Sequence, residues 1–268
     1  FIPLSSYTPA FNILILLLVI LAAAEGFSDS VFKPDVKVFN NIFGAVVTVL
    51  LILYMGLRPV SGYHFGDTIN YANSFYALQA EGYGFEFLSG GEWAFNSLML
   101  FFAAYSDIHV FFLFCAAVYI GTLWWALKRV FREDYFIPLV VVMSMFTFWS
   151  YGVNGIRNGM ASSIMILALT YRNKLPVAIG LAVLALGIHK SMALTVGAAV
   201  LAMFIKKPKL YLIGWFGCIL VSLATGNGIA NMLSGSGLIG DDRFSSYMTG
   251  FGQDDMFSST GFRWDFLI

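Results

Sequence analysis

The chain has 268 residues, of which 59% are hydrophobic, 17% aromatic and only 11% charged. A water-facing surface needs roughly a quarter of the residues charged, so this composition excludes an ordinary soluble domain and reads as a membrane protein. Fifteen basic residues balance fifteen acidic ones, and a neutral chain offers no field to attract nucleic acid.

The chain begins at Phe1 without an initiator methionine, and Phe1 to Pro9 lacks the basic, apolar and small-residue order of a signal peptide. A spanning helix needs about 20 apolar residues. In chain order the candidates are Ala10–Phe27, Phe39–Leu57, Ile108–Leu127, Tyr135–Tyr151, Ile156–Tyr171, Pro176–Ile188, Met192–Ile205 and Leu210–Thr225. The apolar stretch Trp93–Tyr105 is short, which suits an interfacial or re-entrant helix. The expected fold class is therefore all-α: a polytopic integral membrane protein with eight transmembrane helices, one interfacial helix and long outer loops. We read 1–268 as a single membrane domain, with 58–107 and 226–265 as outer loops. An apolar run starts again at Phe266-Leu267-Ile268, so further spans are expected beyond it. Cys115 and Cys218 lie inside apolar runs, where they act as small hydrophobes and not as a disulfide framework.

With these spans, Lys33, Lys37, Lys128, Arg129, Arg132, Arg172, Lys174, Lys206, Lys207 and Lys209 share one side of the bilayer. Only Arg58, Arg157, Lys190, Arg243 and Arg263 fall on the other. The positive-inside rule makes the first side cytoplasmic. Ten of the fifteen acidic residues accompany the five outer cations, Asp67, Glu81, Glu86, Glu92 and Asp107 among them. Function is expected at the outer face, because topology asks for no cations there.

Four constellations carry candidate chemistry. Gly56-Leu57-Arg58-Pro59 is followed by His64-Phe65-Gly66-Asp67-Thr68 and Tyr71; Pro59 stops the helix and Gly66 allows a sharp turn before the carboxylate. Spacing alone equally allows Arg58 to anchor a helix end at headgroups. In Asn154-Gly155-Ile156-Arg157-Asn158-Gly159, a guanidinium stands on the first turn of a helix, where it opposes the helix dipole. An anion bound jointly by Arg157 and the helix N-terminus would reverse that sign. Gly187-Ile188-His189-Lys190-Ser191 lies between apolar runs of about 20 Å each, so the hairpin tip is expected below the outer headgroups. Ionisable groups at that depth are functional candidates, and His189 has the chemistry of a general base; its alternative is a satisfied polar residue between helices. His64 and His109 sit in or beside outer loops and have weaker claims. The fourth group is Asp241-Asp242-Arg243, Asp254-Asp255 and Arg263-Trp264-Asp265. Paired carboxylates can bind a divalent ion, whereas a solvated loop has the same composition.

Taken together, Arg58 ahead of Gly66-Asp67-Thr68 and Tyr71, then Gly155-Ile156-Arg157-Asn158-Gly159-Met160-Ala161, His189-Lys190-Ser191 and Arg263-Trp264-Asp265-Phe266 resemble the EpsG-like family of bacterial polysaccharide polymerases, relatives of the Wzy-type O-antigen polymerases. Asn158 departs from the expected Gln but keeps an amide. The resemblance implies a GT-C-like helical bundle in the bacterial inner membrane that joins oligosaccharide repeat units carried on undecaprenyl pyrophosphate at the periplasmic or outer face. It implies no cofactor beyond that lipid carrier, with the lipid-linked oligosaccharide, membrane lipids, a chain-length regulator and a flippase as partners.

In the mechanism expected from these residues, an acceptor hydroxyl attacks the donor anomeric carbon with inversion and without metal. Arg157, Arg58 and Lys190 hold the pyrophosphate, His189 or Asp67 takes the proton, and Tyr71, Asn154 and Asn158 line the substrate. Arg243, Arg263 and Asp265 belong to a loop closing over it. The competing readings are a flippase for the same lipid-linked sugars, a metal-dependent transferase using Asp241-Asp242 or Asp254-Asp255, and a purely structural subunit. A flippase would distribute polar residues through the whole membrane thickness, whereas this chain gathers them at one face.

Overall fold

The structure, a computed structural model, describes residues 2–27, 33–82 and 84–225. Every regular element among them is helical. Two long helices, α1 (Leu4–Gly26) and α2 (Pro34–Gly56), lead to three shorter ones, α3 (Gly62–Phe65), α4 (Thr68–Glu81) and α5 (Trp93–Tyr105). After the long α6 (Ile108–Phe131) come α7 (Phe136–Ser144), α8 (Phe146–Val153), α9 (Ile156–Thr170), α10 (Leu175–Ile188), α11 (Met192–Phe204) and α12 (Pro208–Thr225).

Helices form at all eight predicted spans, and α5 coincides with the predicted interfacial helix. By length and composition, α1, α2, α6 with its following turn, and α12 can each cross a membrane alone. Their surfaces explain why. Along α1 the buried residues Tyr7, Phe11, Ile15, Leu18 and Ala22 recur every three or four positions, while Ile13, Leu16, Leu17 and Ile20 are exposed. An apolar inner face with an equally apolar outer face is stable only when lipid covers the outside. The chain is thus a polytopic helical membrane protein.

The chain divides into two compact units, residues 1–200 and 201–268. In the second, α12 exposes Leu212, Ile213, Trp215 and Phe216, and the Tyr211 hydroxyl donates to the Ile205 carbonyl at 2.7 Å. The candidate site lies wholly in the first. There α9 is the central helix, packed against α6, α8 and α10, while α2 packs on α6 and α1 on α7. Thr122 Oγ1 donates to Ser163 Oγ at 2.7 Å and Arg129 Nε donates to Thr170 Oγ1 at 3.0 Å, both across a sequence separation of 41. One constant separation means that α6 and α9 run parallel in a single register.

One prediction needs correction. The span read over Tyr135–Tyr151 is two helices, α7 and α8, bent by 74° at Met145. Neither Pro nor Gly stands at the break. Aromatic packing fixes the new direction: Trp149 stacks on Phe11 of α1 with centroids 4.4 Å apart, and Phe148 meets Tyr119 of α6 at 5.5 Å.

Candidate functional site

The turn between α8 and α9 begins the site. Gly155 precedes α9 and no side chain caps the helix; the Ile156 amide donates to the Asn154 carbonyl at 3.0 Å, and the amides of Arg157 and Asn158 are left to other partners. Arg157, in the first turn, turns towards α4 and α5: its Nε donates to the Tyr71 hydroxyl at 3.4 Å, and its guanidinium stands 5.4 Å from the ring centroids of Tyr71 and Phe95.

The charge that answers Arg157 comes from an unexpected place. Gln79 Nε2 near the end of α4 donates to the Ser106 carbonyl at 3.0 Å, which ties α4 to the junction of α5 and α6. From there the chain returns alongside α5 without helical structure: Phe85 faces Phe101 at 5.7 Å, and the Leu88 amide donates to Ser97 Oγ at 2.9 Å. Gly90 and Gly91 both take positive φ, which lets the segment turn into α5 and delivers Glu92 to the start of that helix. Glu92 Oε2 accepts from Arg157 Nη1, and Oε1 pairs with His189 Nδ1. The Lys190 amide also approaches Oε1, at 3.4 Å. One carboxylate thereby joins α5, α9 and the α10–α11 tip.

Burial would raise the Glu92 pKa, but the hydrogen bond with His189 and the charge of Arg157 outweigh it and hold the group down to about 2. Only 13% of the carboxylate side chain is exposed, against 22% for Arg157 and 24% for His189, so the cluster is accessible chiefly from the cation sides. Close packing sustains this: a Cβ on Gly187 of α10 would overlap the Trp93 indole, so only glycine lets the tip approach Glu92.

The register of α6 and α9 gives the site a depth. The apolar part of α6, Ile108–Leu127, covers about 30 Å, the thickness of a hydrocarbon core. Arg157 is level with Ala116, about 12 Å along α6 from Ile108. Arg157 thus stands nearer the Ile108 end of α6 than the end that carries Lys128 and Arg129.

The structure brings Tyr71, Arg157, His189 and Lys190 together around Glu92. Asn158 joins through its Oδ1, which accepts from Ser191 Oγ at 3.3 Å. Asp67 and Asn154 form an adjoining bridge, in which the Asp67 amide donates to Asn154 Oδ1 at 2.7 Å and the Asp67 carboxylate accepts from Asn70. Arg58 is placed differently. It is 1% exposed, donates to the carbonyls of Met55 and Val153 and to Thr68 Oγ1, and lies under the Phe112 ring at 4.7 Å. Burial lowers its pKa to about 10, so it stays charged at neutral pH. Its partners are C-terminal carbonyls of α2 and α8, the negative ends of two helix dipoles, and in this geometry it fastens those ends together. Arg243, Arg263 and Asp265, with the pairs Asp241-Asp242 and Asp254-Asp255, lie outside the described residues. Among the described residues no three His, Cys, Asp or Glu side chains converge as metal ligands.

The sequence model of the EpsG family matches residues 41–263, most of the chain. The chain belongs to the EpsG family. Membership gives it a polysaccharide-polymerase-like role, that of a glycosyltransferase-type enzyme held in a membrane. No curated protein and no solved structure matches it. The matched range includes Arg58, the whole Glu92 cluster and, as its last residue, Arg263.

Proposed function

We propose that this EpsG-family protein joins oligosaccharide repeat units carried on undecaprenyl pyrophosphate, at the outer face of the bacterial cytoplasmic membrane, by direct and inverting transfer. The observation that carries the reading is the convergence of the Arg157 guanidinium, the His189 imidazole and the Lys190 backbone amide on the Glu92 carboxylate. A lipid-linked donor keeps its pyrophosphate near the bilayer surface, where a recessed cationic site can meet it. No nucleotide is needed, because the pyrophosphate already activates the sugar.

In this reading the acceptor hydroxyl oxygen bonds to the donor anomeric carbon. The bond from that carbon to the pyrophosphate oxygen breaks, and its electron pair leaves with the lipid pyrophosphate. His189 Nε2 takes the hydroxyl proton. Because Glu92 holds Nδ1, the imidazole is oriented with Nε2 outward, the arrangement a general base requires. Arg157 and Lys190 offset the charge that grows on the leaving group. Tyr71 and Asn158 border the substrate, and Asp67 is the alternative proton acceptor. Arg58 supports the site from behind by holding the ends of α2 and α8. We assign the reaction no metal.

The test supplies the purified full-length protein with the lipid-linked repeat unit that accumulates in a strain lacking the polymerase. A ladder of polymer, formed equally in excess EDTA and reduced about 10²-fold or more in His189→Ala, is expected. Substrate moved across vesicles without polymer would make the protein a flippase. Activity abolished by EDTA and restored by Mg²⁺ would pass the reaction to the carboxylate pairs.

A further inference from the structure

We propose that Glu92 is an internal counter-ion that occupies Arg157 in the resting site, yields it to the donor pyrophosphate, and stays with His189 during transfer. This rests on the polymerase reading above and adds to it the residue that couples donor binding to proton removal.

The geometry separates the two tasks of the carboxylate. Oε2 serves Arg157, while Oε1 serves His189 and the Lys190 amide. Losing one partner therefore does not require losing the other. Arg157 is also held independently of Glu92, through Nε on Tyr71 and through the faces of Tyr71 and Phe95, so it stays in place when Nη1 changes partner. Its Nη2 has no hydrogen-bond partner among the described residues, and the side chain is partly exposed, so an entering phosphate has a first donor to grip. The uncapped amides of α9 add a second attraction for an anion.

Charge decides the exchange. A pyrophosphate diester carries more negative charge than a carboxylate and offers oxygens in the spacing a guanidinium fork accepts, so it outcompetes Oε2 for Arg157. Glu92 is then left with His189. When Nε2 takes the acceptor proton, a positive imidazolium forms, and the undivided carboxylate charge stabilises it. In the resting site the same carboxylate is shared with Arg157, so the base is strengthened only after the donor has arrived. Glu92 is thus a positioning residue: it touches neither the reacting carbon nor the transferred proton.

The experiment measures binding and turnover separately in Glu92→Gln, using undecaprenyl pyrophosphate as the binding probe and the accumulated lipid-linked repeat unit for turnover. Removing the carboxylate charge frees Arg157, so undecaprenyl pyrophosphate should bind about threefold or more tightly. Turnover should fall about tenfold or more, because the imidazolium loses its counter-charge. Opposite signs are the signature, since a residue that only supports the fold would weaken both. The tightening should vanish in Glu92→Gln/Arg157→Ala, because Arg157 is its source, and Glu92→Asp should recover part of the turnover. If Glu92→Gln does not reach the membrane, Glu92→Asp supplies the same split in smaller measure. Equal loss of binding and turnover, or no change in either, overturns the proposal. Wild-type protein that neither binds undecaprenyl pyrophosphate nor forms polymer overturns the polymerase reading instead.

Discussion

At the scale of single residues, the two arginines that sequence order sets side by side are doing different things. Arg58 is sealed, with its donors on helix-terminal carbonyls, whereas Arg157 keeps an accessible fork beside a carboxylate. Arg58→Ala should therefore leave the Met55 carbonyl without its donor, at about 1–3 kcal/mol, while Val153 keeps the Thr68 hydroxyl, and should lower the melting temperature of the purified protein. Arg157→Lys should leave that temperature nearly unchanged and cut turnover about tenfold, because an ammonium lacks the planar fork. Matched melting and activity curves check both, and an inactive but fully stable Arg58→Ala would move Arg58 back to the substrate. Glu92 yields a pH prediction. Its folded pKa of about 2 lies below the ordinary carboxylate value, so its ionic contribution is complete above about pH 4.5 and is lost as pH falls towards 2. The stability difference between wild type and Glu92→Gln should still be present at pH 5 and shrink only below about pH 4. A difference already fading at pH 6 would show that the carboxylate is not held down. In the sequence Glu92 is one outer acid among ten. The available signal was Gly90-Gly91 directly before an acid at a helix start, but periodicity does not encode a non-helical return along α5.

At the scale of elements, long apolar runs were legible and their interruptions were not. The starts of α6, α9 and α11 and the ends of α10 and α12 fall where composition placed them, because Lys, Arg, Gly and Asp flank those runs. The α7–α8 bend was illegible: its cause is Phe148 and Trp149 packing on distant rings, in a stretch with no local breaker. The Arg157–His189 approach was legible only as two outward tips, since the carboxylate joining them comes from a third element. The turn before α4 offers an element-scale test. Gly66 has a φ of 55°, and a Cβ there would run into the Asn154 amide that accepts from the Asp67 amide. Gly82 has a similar φ of 68° with nothing within 4 Å of its would-be Cβ. Gly82→Ala, at ψ 23° in the left-handed helical well, should cost about 1–2 kcal/mol of backbone strain, whereas Gly66→Ala, at ψ −118° outside that well, should cost more strain and the Asn154 bridge as well. Thermal unfolding of Gly66→Ala in the wild-type and Asn154→Ala backgrounds isolates the bridge, and equal losses in the two backgrounds would mean that Asn154 swings away freely.

At the scale of the whole molecule, the parallel register of α6 and α9 links the site to the membrane. Both helices end at a cationic border, Lys128 and Arg129 on one and Arg172 and Lys174 just beyond the other, and the Arg129–Thr170 hydrogen bond holds those ends level. The Glu92 cluster lies towards the opposite ends. If the cationic border is cytoplasmic, as the positive-inside rule requires, the cluster opens outward, where lipid-linked repeat units are polymerised in the proposed reaction. Two exposed positions test this orientation: Glu81, at the end of α4, and Asn173, in the turn between α9 and α10. Each is replaced by cysteine in a protein whose Cys115 and Cys218 have been changed to alanine. An impermeant thiol reagent applied to intact spheroplasts should label the cysteine at 81 and reach the one at 173 only after permeabilisation. The reverse pattern would put the cluster on the cytoplasmic side, where a nucleotide-sugar donor is at hand, and the lipid-pyrophosphate assignment would lose its topological basis.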